Sequence, residues 1–117
     1  MKDFRSLKVW EKSHNITLEV YKLTKDFPKE ELYNITSQLR RAIVSIPTNL
    51  AEGCGRGSDK DFKRFVQIAL GSAGESEYLI LLSTDLGYIS NVEFNKLSSE
   101  IQEIKKMLTS LISKLKI

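Results

Sequence analysis

The chain of 117 residues is 41% hydrophobic and 28% charged, which is typical of one folded globular domain and excludes extended disorder. Its net charge of +3 is mildly basic, which is compatible with a nucleic-acid partner and with an ordinary charged surface. The single cysteine, Cys54, excludes an intrachain disulfide and favours the cytoplasm. The apolar runs are too short to span a membrane, so we expect no membrane partner.

The first predicted helix covers residues 6–25, with Ser6 as its expected N-cap. At about 100° per residue its larger side chains fall on two faces. One face has Leu7, Trp10, His14, Leu18 and Tyr21, and the other has Val9, Ile16, Val20 and Leu23. A surface helix normally buries one apolar stripe. We therefore expect a second burial surface on this helix, against another subunit.

The second predicted helix covers residues 31–52 and contains a proline. Its core stripe consists of Leu32, Ile35, Leu39, Ala42, Ile43, Ile46 and Leu50. Pro47 cannot donate a hydrogen bond to the carbonyl of Ile43, so we expect a kink that exposes this carbonyl. The side chains that could satisfy it are Ser45, Thr48 and Asn49.

The third predicted helix covers residues 58–86, with Ser58 as N-cap and Asp61 reaching back toward it. Small residues fill its middle, including Gly71 and Gly74. Each glycine costs about 1 kcal/mol in a helix interior relative to alanine. Because the apolar period continues on both sides, we expect a helix whose small side chains let another helix approach closely.

The fourth predicted helix covers residues 91–116, after a capping box formed by Ser90 and Glu93. Its apolar positions follow a strict spacing of three and four: Phe94, Leu97, Ile101, Ile104, Leu108, Leu111 and Leu115. This spacing is typical of a seam in a left-handed bundle. Four long helices joined by short turns predict an all-α fold, an up-down-up-down four-helix bundle in a single domain.

The residue types needed for catalysis are scarce in this chain. Cys54 and the single histidine, His14, are the only candidates for a nucleophile and base, and nothing in the sequence brings them together. A di-iron bundle needs Glu-x-x-His segments on two helices, and this chain has one, Glu11 to His14; Cys and His clusters for zinc are absent. We expect no catalytic residue, no metal and no cofactor. An enzyme that uses the polar side chains near Pro47 is the least favoured alternative.

Residues 37–64 carry six Lys or Arg against three Asp or Glu, a bias that attracts phosphate. The candidate nucleic-acid ligands are Arg40, Arg41, Arg56, Lys60, Lys63 and Arg64. Since adjacent residues point about 100° apart, Arg40 and Arg41 cannot serve one purpose. We expect Arg41 to pair inward with a carboxylate such as Glu75. A solvated face, or a polar stripe that only seals the kink, stays open as an alternative.

Three segments resemble one known family. They read FRSLKVWEKS near the start, FPKEELYNITSQLRRAIVSIPTNLAEGCGR in the middle and IALGSAGESEYLI later. In this order they are similar to bacterial four-helix bundle proteins encoded in intervening sequences of large-subunit ribosomal RNA genes. The positions that match the family pattern are Gln38, Arg40, Arg41, Ser45, Pro47, Asn49, Glu52, Gly53, Gly71, Ser72 and Glu75.

The resemblance implies a ring-like homopentamer with no established enzymatic activity and an association with RNA. A more distant similarity, to the basic accessory protein of diversity-generating retroelements, implies contact with nucleic acid. We therefore expect a non-enzymatic homo-oligomer that binds the backbone of RNA or DNA. The alternative is a scaffold that recruits a different protein through the extra apolar face of the first helix.

Overall fold

The computed structural model describes residues 2–115, and this range contains four α-helices and no strand. The helices are α1 (Lys8–Thr24), α2 (Ile35–Cys54), α3 (Asp59–Asp85) and α4 (Asn91–Lys114). Lys116, the last residue of the predicted fourth helix, lies outside the described residues. None of the helices in the described range is long and apolar enough to cross a membrane.

The helices form an up-down-up-down bundle, as the sequence predicts. Each helix packs on the next one in the chain, and α4 closes the bundle against α1. The pairs Lys12–Glu103 and Glu19–Lys96 show that α1 and α4 run antiparallel. Within residues 2–115, the backbone of α1 does not come close to that of α3, nor does the backbone of α2 come close to that of α4. The four helices therefore occupy the corners of a square, and diagonal partners point in the same direction.

The core follows the predicted apolar stripes. Its largest fully buried side chains are Phe62, Ile16, Leu39, Ile43, Ile46, Leu50, Ile80, Ile101, Ile104, Leu108, Val20 and Val66. Leu32 is an exception and is exposed. The reason is that residues 29–34 form a 3₁₀ turn and a bend, so α2 begins only at Ile35 and Leu32 lies before its stripe.

The predicted helix starts are confirmed at α3 and α4. Ser58 accepts a hydrogen bond from the Asp61 N–H at 3.2 Å, and a capping box opens α4. At α1 the predicted N-cap is wrong. Ser6 ends a 3₁₀ turn and donates its hydroxyl to the Asp3 carbonyl, and the extended residue Leu7 precedes α1.

Helix α2 continues through Pro47, and the carbonyl that the proline frees is satisfied from another helix. Ile43 O accepts a hydrogen bond from the Thr17 hydroxyl of α1 at 3.3 Å. The prediction that a side chain of α2 itself would do this is wrong, since Thr48 and Asn49 bond other carbonyls of α2. The reason is topological: Thr17 is distant in sequence but faces the proline turn across the α1–α2 interface.

The glycines differ in what surrounds them. A Cβ at Gly53 would lie 2.8 Å from Phe65 Cβ, so α2 and α3 meet there closely enough to require glycine. A Cβ at Gly71 or Gly74 would meet nothing within 4 Å. Helix α3 is continuous there, as predicted. The expectation that these two glycines admit a neighbouring helix is wrong within the single subunit, because Gly71 is exposed and Gly74 lines an open cleft between α3 and α4.

Helix α1 buries one of its two apolar faces. The buried residues are Val9, Ser13, Ile16, Thr17, Val20 and Thr24. On the other face, Leu18 and Tyr21 are exposed, and the exposed His14 stacks on Trp10 with the ring centres 5.0 Å apart. The part of the predicted second face with His14, Leu18 and Tyr21 is therefore open to solvent in the single chain, whereas Leu7 and Trp10 pack against the core.

Candidate nucleic-acid interface

Arg40 and Arg41 exchange the roles predicted for them. Arg40 donates from Nε to the Thr24 hydroxyl at 2.8 Å, and its guanidinium lies 4.9 Å from the centre of the Tyr21 ring. Arg41 is exposed, and its hydrogen bond stays within α2. Glu75 is exposed as well, so the predicted inward pair of Arg41 and Glu75 is wrong. The core stripe includes position 39, so at about 100° per residue position 40 flanks it and position 41 points away.

The six predicted basic ligands lie in two separate places. Arg56, Lys60, Lys63 and Arg64 surround the turn between α2 and α3, whereas Arg40 and Arg41 lie in the N-terminal half of α2. From Arg41 to Arg56 the helix rises by about 1.5 Å per residue, which amounts to roughly 20 Å along the bundle. A single phosphate group therefore cannot contact both sets of basic side chains.

The turn between α2 and α3 belongs to a larger basic surface. The chain segments 2–12, 52–64 and 103–115 meet there, and we call this part of the bundle the basic end. These segments carry eleven Lys or Arg against six Asp or Glu. The other described segments, 13–51 and 65–102, carry six against nine. The mildly basic chain is thus strongly polarised along its length.

Contacts across the basic end confirm that its segments meet. Lys2 lies 3.5 Å from the Asp59 carboxylate and 5.1 Å from the centre of the Phe62 ring. A cleft of about 400 Å³ separates the start of α1 from the end of α4. Its lining combines apolar and basic side chains: Leu7, Lys8, Val9, Lys106, Met107, Ser110, Leu111 and Lys114.

The arginines of this end are held on aromatic faces. Arg56 lies 4.9 Å from the centre of the Phe65 ring and donates to the Glu52 carboxylate at 2.8 Å. Arg64 approaches the same ring at 5.6 Å. Phe65 itself is buried, so its ring supports the two guanidinium groups and is not available to stack on a base. Lys60 is exposed and Lys63 is half-buried.

The remaining family-pattern residues have mainly structural roles. Ser45 and Ser72 join α2 and α3 through hydroxyls 2.8 Å apart, and Asn49 donates to Ser45. Pro47 is buried, while Gln38 is exposed. In the polar stripe near the proline, Ser45 thus joins α2 to α3, whereas Thr48 and Asn49 bond within α2.

The described residues do not form a metal-binding group of side chains. Cys54 is buried at the end of α2, and burial raises the pKa of its thiol, which disfavours the nucleophilic thiolate. His14 is exposed and contacts Trp10. Across residues 2–115, no group of His, Cys, Asp and Glu is arranged to hold a metal ion.

Charged side chains also cross the interface between α1 and α4. Lys12 bonds Glu103, Lys96 lies 3.2 Å from Glu19, and Glu100 lies between these pairs. Glu100 Oε1 is buried without a hydrogen-bond partner. Burial, together with the neighbouring Glu19 carboxyl, raises the pKa of Glu100 to about 7. This cluster is separate from the turn between α2 and α3.

Sequence reasoning missed seven of the eleven cations of the basic end. The missed cations are Lys2, Arg5, Lys8, Lys12, Lys105, Lys106 and Lys114. They are dispersed over both ends of the chain, where no local run of charge marks them. Only the antiparallel fold brings them beside the turn at Arg56, so the signal lay in the topology and not in any motif.

Comparisons with known proteins agree with this architecture. Residues 5–110 match the family described as 23S rRNA-intervening sequence protein. A crystal structure from Bacteroides thetaiotaomicron, described as a protein with unknown function from the S23 ribosomal protein family, is similar with a TM-score of 0.82. It shares 28% sequence identity and covers 89% of this chain and 97% of its own. No curated protein matches the chain. Since the family match extends over nearly the whole sequence, the chain belongs to the 23S rRNA-intervening sequence protein family.

Proposed function

We propose that this protein is a non-enzymatic, cytoplasmic homo-oligomer, a pentamer, whose basic end binds the phosphate backbone of RNA or DNA. The observation that supports this most directly is the polarised charge. The basic end carries eleven Lys or Arg against six Asp or Glu, although the whole chain has a net charge of only +3. A phosphate backbone would meet this end with favourable electrostatics.

The chemistry of the basic end favours backbone binding over base recognition. Its cations are dispersed lysines and arginines, and the nearby Phe62 and Phe65 rings are buried. Such a surface neutralises phosphates and releases counterions, so binding should weaken steeply as salt rises and depend little on sequence. In an oligomer, several basic ends would act on one polyanion and raise the apparent affinity. The family description makes structured RNA the natural first probe.

Binding of a fluorescent RNA hairpin, followed by anisotropy over a salt series, tests this proposal. The double variant Lys60→Glu/Lys106→Glu reverses two exposed charges of the basic end. We expect it to weaken binding by about tenfold or more and to lower the log–log salt slope by about two. The matched control, Lys29→Glu/Arg41→Glu, makes the same charge change in exposed residues outside the basic end and should retain most of the affinity.

Two results would overturn the proposal. One is no binding of the hairpin at low salt, and the other is an equal loss of affinity in both double variants. Light scattering of the purified protein tests the oligomer separately. A scaffold that recruits a different protein would instead stay monomeric until that partner is added.

A further inference from the structure

Helix α3 carries an apolar outer face that no part of the described chain covers. Ile68, Tyr78 and Leu81 are 40%, 58% and 44% exposed, respectively. Gly71 and Gly74 lie among them and face open space. Beside this face, a cleft of about 290 Å³ lies between α3 and α4, lined in part by Gly74, Tyr78 and Leu81. A face of this kind on a surface helix favours contact with another helix.

Helix α1 has the complementary unpartnered face. Leu18 is 57% exposed and projects away from the core, and Tyr21, which is 39% exposed, lies beside it with Arg40 against its ring. The large side chains of Leu18 and Tyr21 on α1 would thus fit against Gly71 and Gly74 at the centre of the α3 face. A helix bearing leucine and tyrosine can approach closely where the facing helix has glycine.

The positions of α1 and α3 in the bundle fix how two copies could use these faces. The two helices occupy diagonal corners, where their backbones do not come close to each other, and they run in the same direction. Their outer faces therefore look away from each other. A contact between α1 of one copy and α3 of the next is heterologous, and its repetition leads to a closed ring when the rotation closes. In a ring whose axis follows the helices, the two contacting helices are parallel.

In this parallel arrangement, residues of opposite charge on the two faces lie at the same height along the helices. When Leu18 is placed opposite Gly71, Glu11 and Arg64 each lie seven residues earlier and therefore at the same height. Lys22 then lies at the same height as Glu75, and Lys25 lies about one helical turn further along. Glu11, Lys22, Lys25 and Glu75 are exposed and form no salt bridge in residues 2–115. Opposite charges thus meet on both sides of the apolar centre.

We propose that the outer face of α3 is the docking site for α1 of a second copy of this chain, with Leu18 and Tyr21 seated over Gly71 and Gly74. This assignment rests on the proposed self-association and names its interface. Each copy offers one α1 face and one α3 face, so every subunit in the ring makes the same two contacts. From the basic end, Glu11 and Arg64 lie at this interface, about two helical turns before Leu18 and Gly71.

The variant Gly71→Leu tests the site with light scattering and thermal unfolding. Leucine at this exposed helical position should leave the subunit folded, and we expect no loss in its melting temperature. It should raise the dissociation constant of self-association at least tenfold, because the added side chain fills the space that Leu18 would occupy. The matched control, Ser99→Leu, adds the same bulk to an exposed position of α4 and should leave the oligomer mass unchanged.

Mixing two blocked variants tests the heterologous geometry. Leu18→Arg removes the α1 face, and Gly71→Leu removes the α3 face. Each variant alone should be monomeric, whereas their mixture should form one-to-one dimers through the remaining intact faces. In addition, Glu75→Arg should weaken association, and Lys22→Glu/Lys25→Glu should restore it in the same chain.

The outcomes separate this interface from the proposed function. A wild-type protein that is monomeric at all concentrations overturns both the self-association and the interface. A wild-type oligomer whose mass is unchanged by Gly71→Leu overturns the interface alone, as does a mixture that stays monomeric. Binding of the RNA hairpin by the monomeric Gly71→Leu variant reports on the basic end independently.

Discussion

The hydroxyl of Thr17 bonds two carbonyls, that of Ser13 on its own helix at 2.7 Å and that of Ile43 at 3.3 Å. The second carbonyl has no N–H partner in α2, because the residue four positions later is Pro47. Both Thr17 and Ile43 are buried, so no water replaces the missing bond at low cost. One threonine on α1 thereby permits a proline inside α2.

Replacing Thr17 by valine should therefore destabilise the bundle. Thr17→Val keeps the shape of the side chain but leaves the Ile43 carbonyl buried and unpaired, which costs about 1–2 kcal/mol in the free energy of unfolding. Urea denaturation would measure the change. Thr48→Val removes a hydroxyl that is exposed and bonds only its own helix, and its effect should stay within about 0.5 kcal/mol. Equal effects of the two substitutions would contradict the role assigned to Thr17.

Gly53 gives a second prediction at the scale of single residues. In Gly53→Ala the new Cβ would lie 2.8 Å from Phe65 Cβ and 3.3 Å from Phe62 Cδ1, so α2 and α3 must separate. We expect a loss of about 1–3 kcal/mol in the free energy of unfolding, measured by urea denaturation. Gly57→Ala is the control, since a Cβ there meets nothing within 4 Å. Unchanged stability in Gly53→Ala would show that the helices adjust without strain.

The sequence predicts the burial of a side chain well where the position in its own helix determines it. It predicts contacts poorly where they depend on how a second helix packs. The close approach at Gly53 and the partner of Ile43 both depend on how α1, α2 and α3 dock. Arg40 is different. Its position beside the core stripe follows from the helical phase alone. The predicted inward arginine was Arg41 because a carboxylate was the expected partner, whereas the partners of Arg40 are the Thr24 hydroxyl and the Tyr21 ring.

At the scale of helices, a cluster of charged side chains around Glu100 crosses the interface between α1 and α4. Glu19 and Lys12 approach Glu100 from α1, and Lys96 and Glu103 lie on α4 itself. The two lysines favour the charged carboxylate, but burial and the proximity of Glu19 outweigh them, so the pKa of Glu100 rises to about 7. The folded chain therefore binds this proton more tightly than the unfolded chain.

The free energy of unfolding should fall as the pH rises from 4.5 to about 7. Between the ordinary pKa of 4.5 and about 7, the folded state holds the Glu100 proton while the unfolded state has released it. Glu100→Gln mimics the protonated form, so it should increase stability relative to wild type at pH 8 and change it little at pH 4. Urea midpoints at both pH values would measure this. Glu103→Gln removes a neighbouring carboxylate paired with Lys12 and should give no such gain at pH 8.

The elements themselves were largely predictable. Helices α3 and α4 start with the N-caps that the sequence indicates, because Ser58 and Ser90 act within a few residues. The start of α2 was placed too early, at residue 31. The glutamates there suit a first helical turn, yet the chain forms a 3₁₀ turn, in which Glu31 accepts a hydrogen bond from the Tyr88 hydroxyl at 2.8 Å. The two residues are 57 positions apart, so this contact leaves no local signal.

At the scale of the whole molecule, the arrangement of the helices determines where the basic residues collect. The basic end and the outer faces of α1 and α3 occupy different parts of a bundle 43 Å long. If copies associate in parallel through those faces, all basic ends point to one side of the ring. Their charges then add on a single surface, and the opposite surface collects the excess acidic residues. A chain of modest net charge would acquire one strongly basic face by assembly alone.

The even number of helices has a practical consequence for handling this protein. Residues 2 and 115 lie at the same end of the bundle, and that end is the basic one. A tag or fluorescent protein fused to either terminus would crowd the proposed nucleic-acid surface. A circularly permuted chain opened at Gly87, in the turn between α3 and α4, would carry its fusion partner on the opposite side. Such a permutant would leave the basic end uncovered for binding measurements.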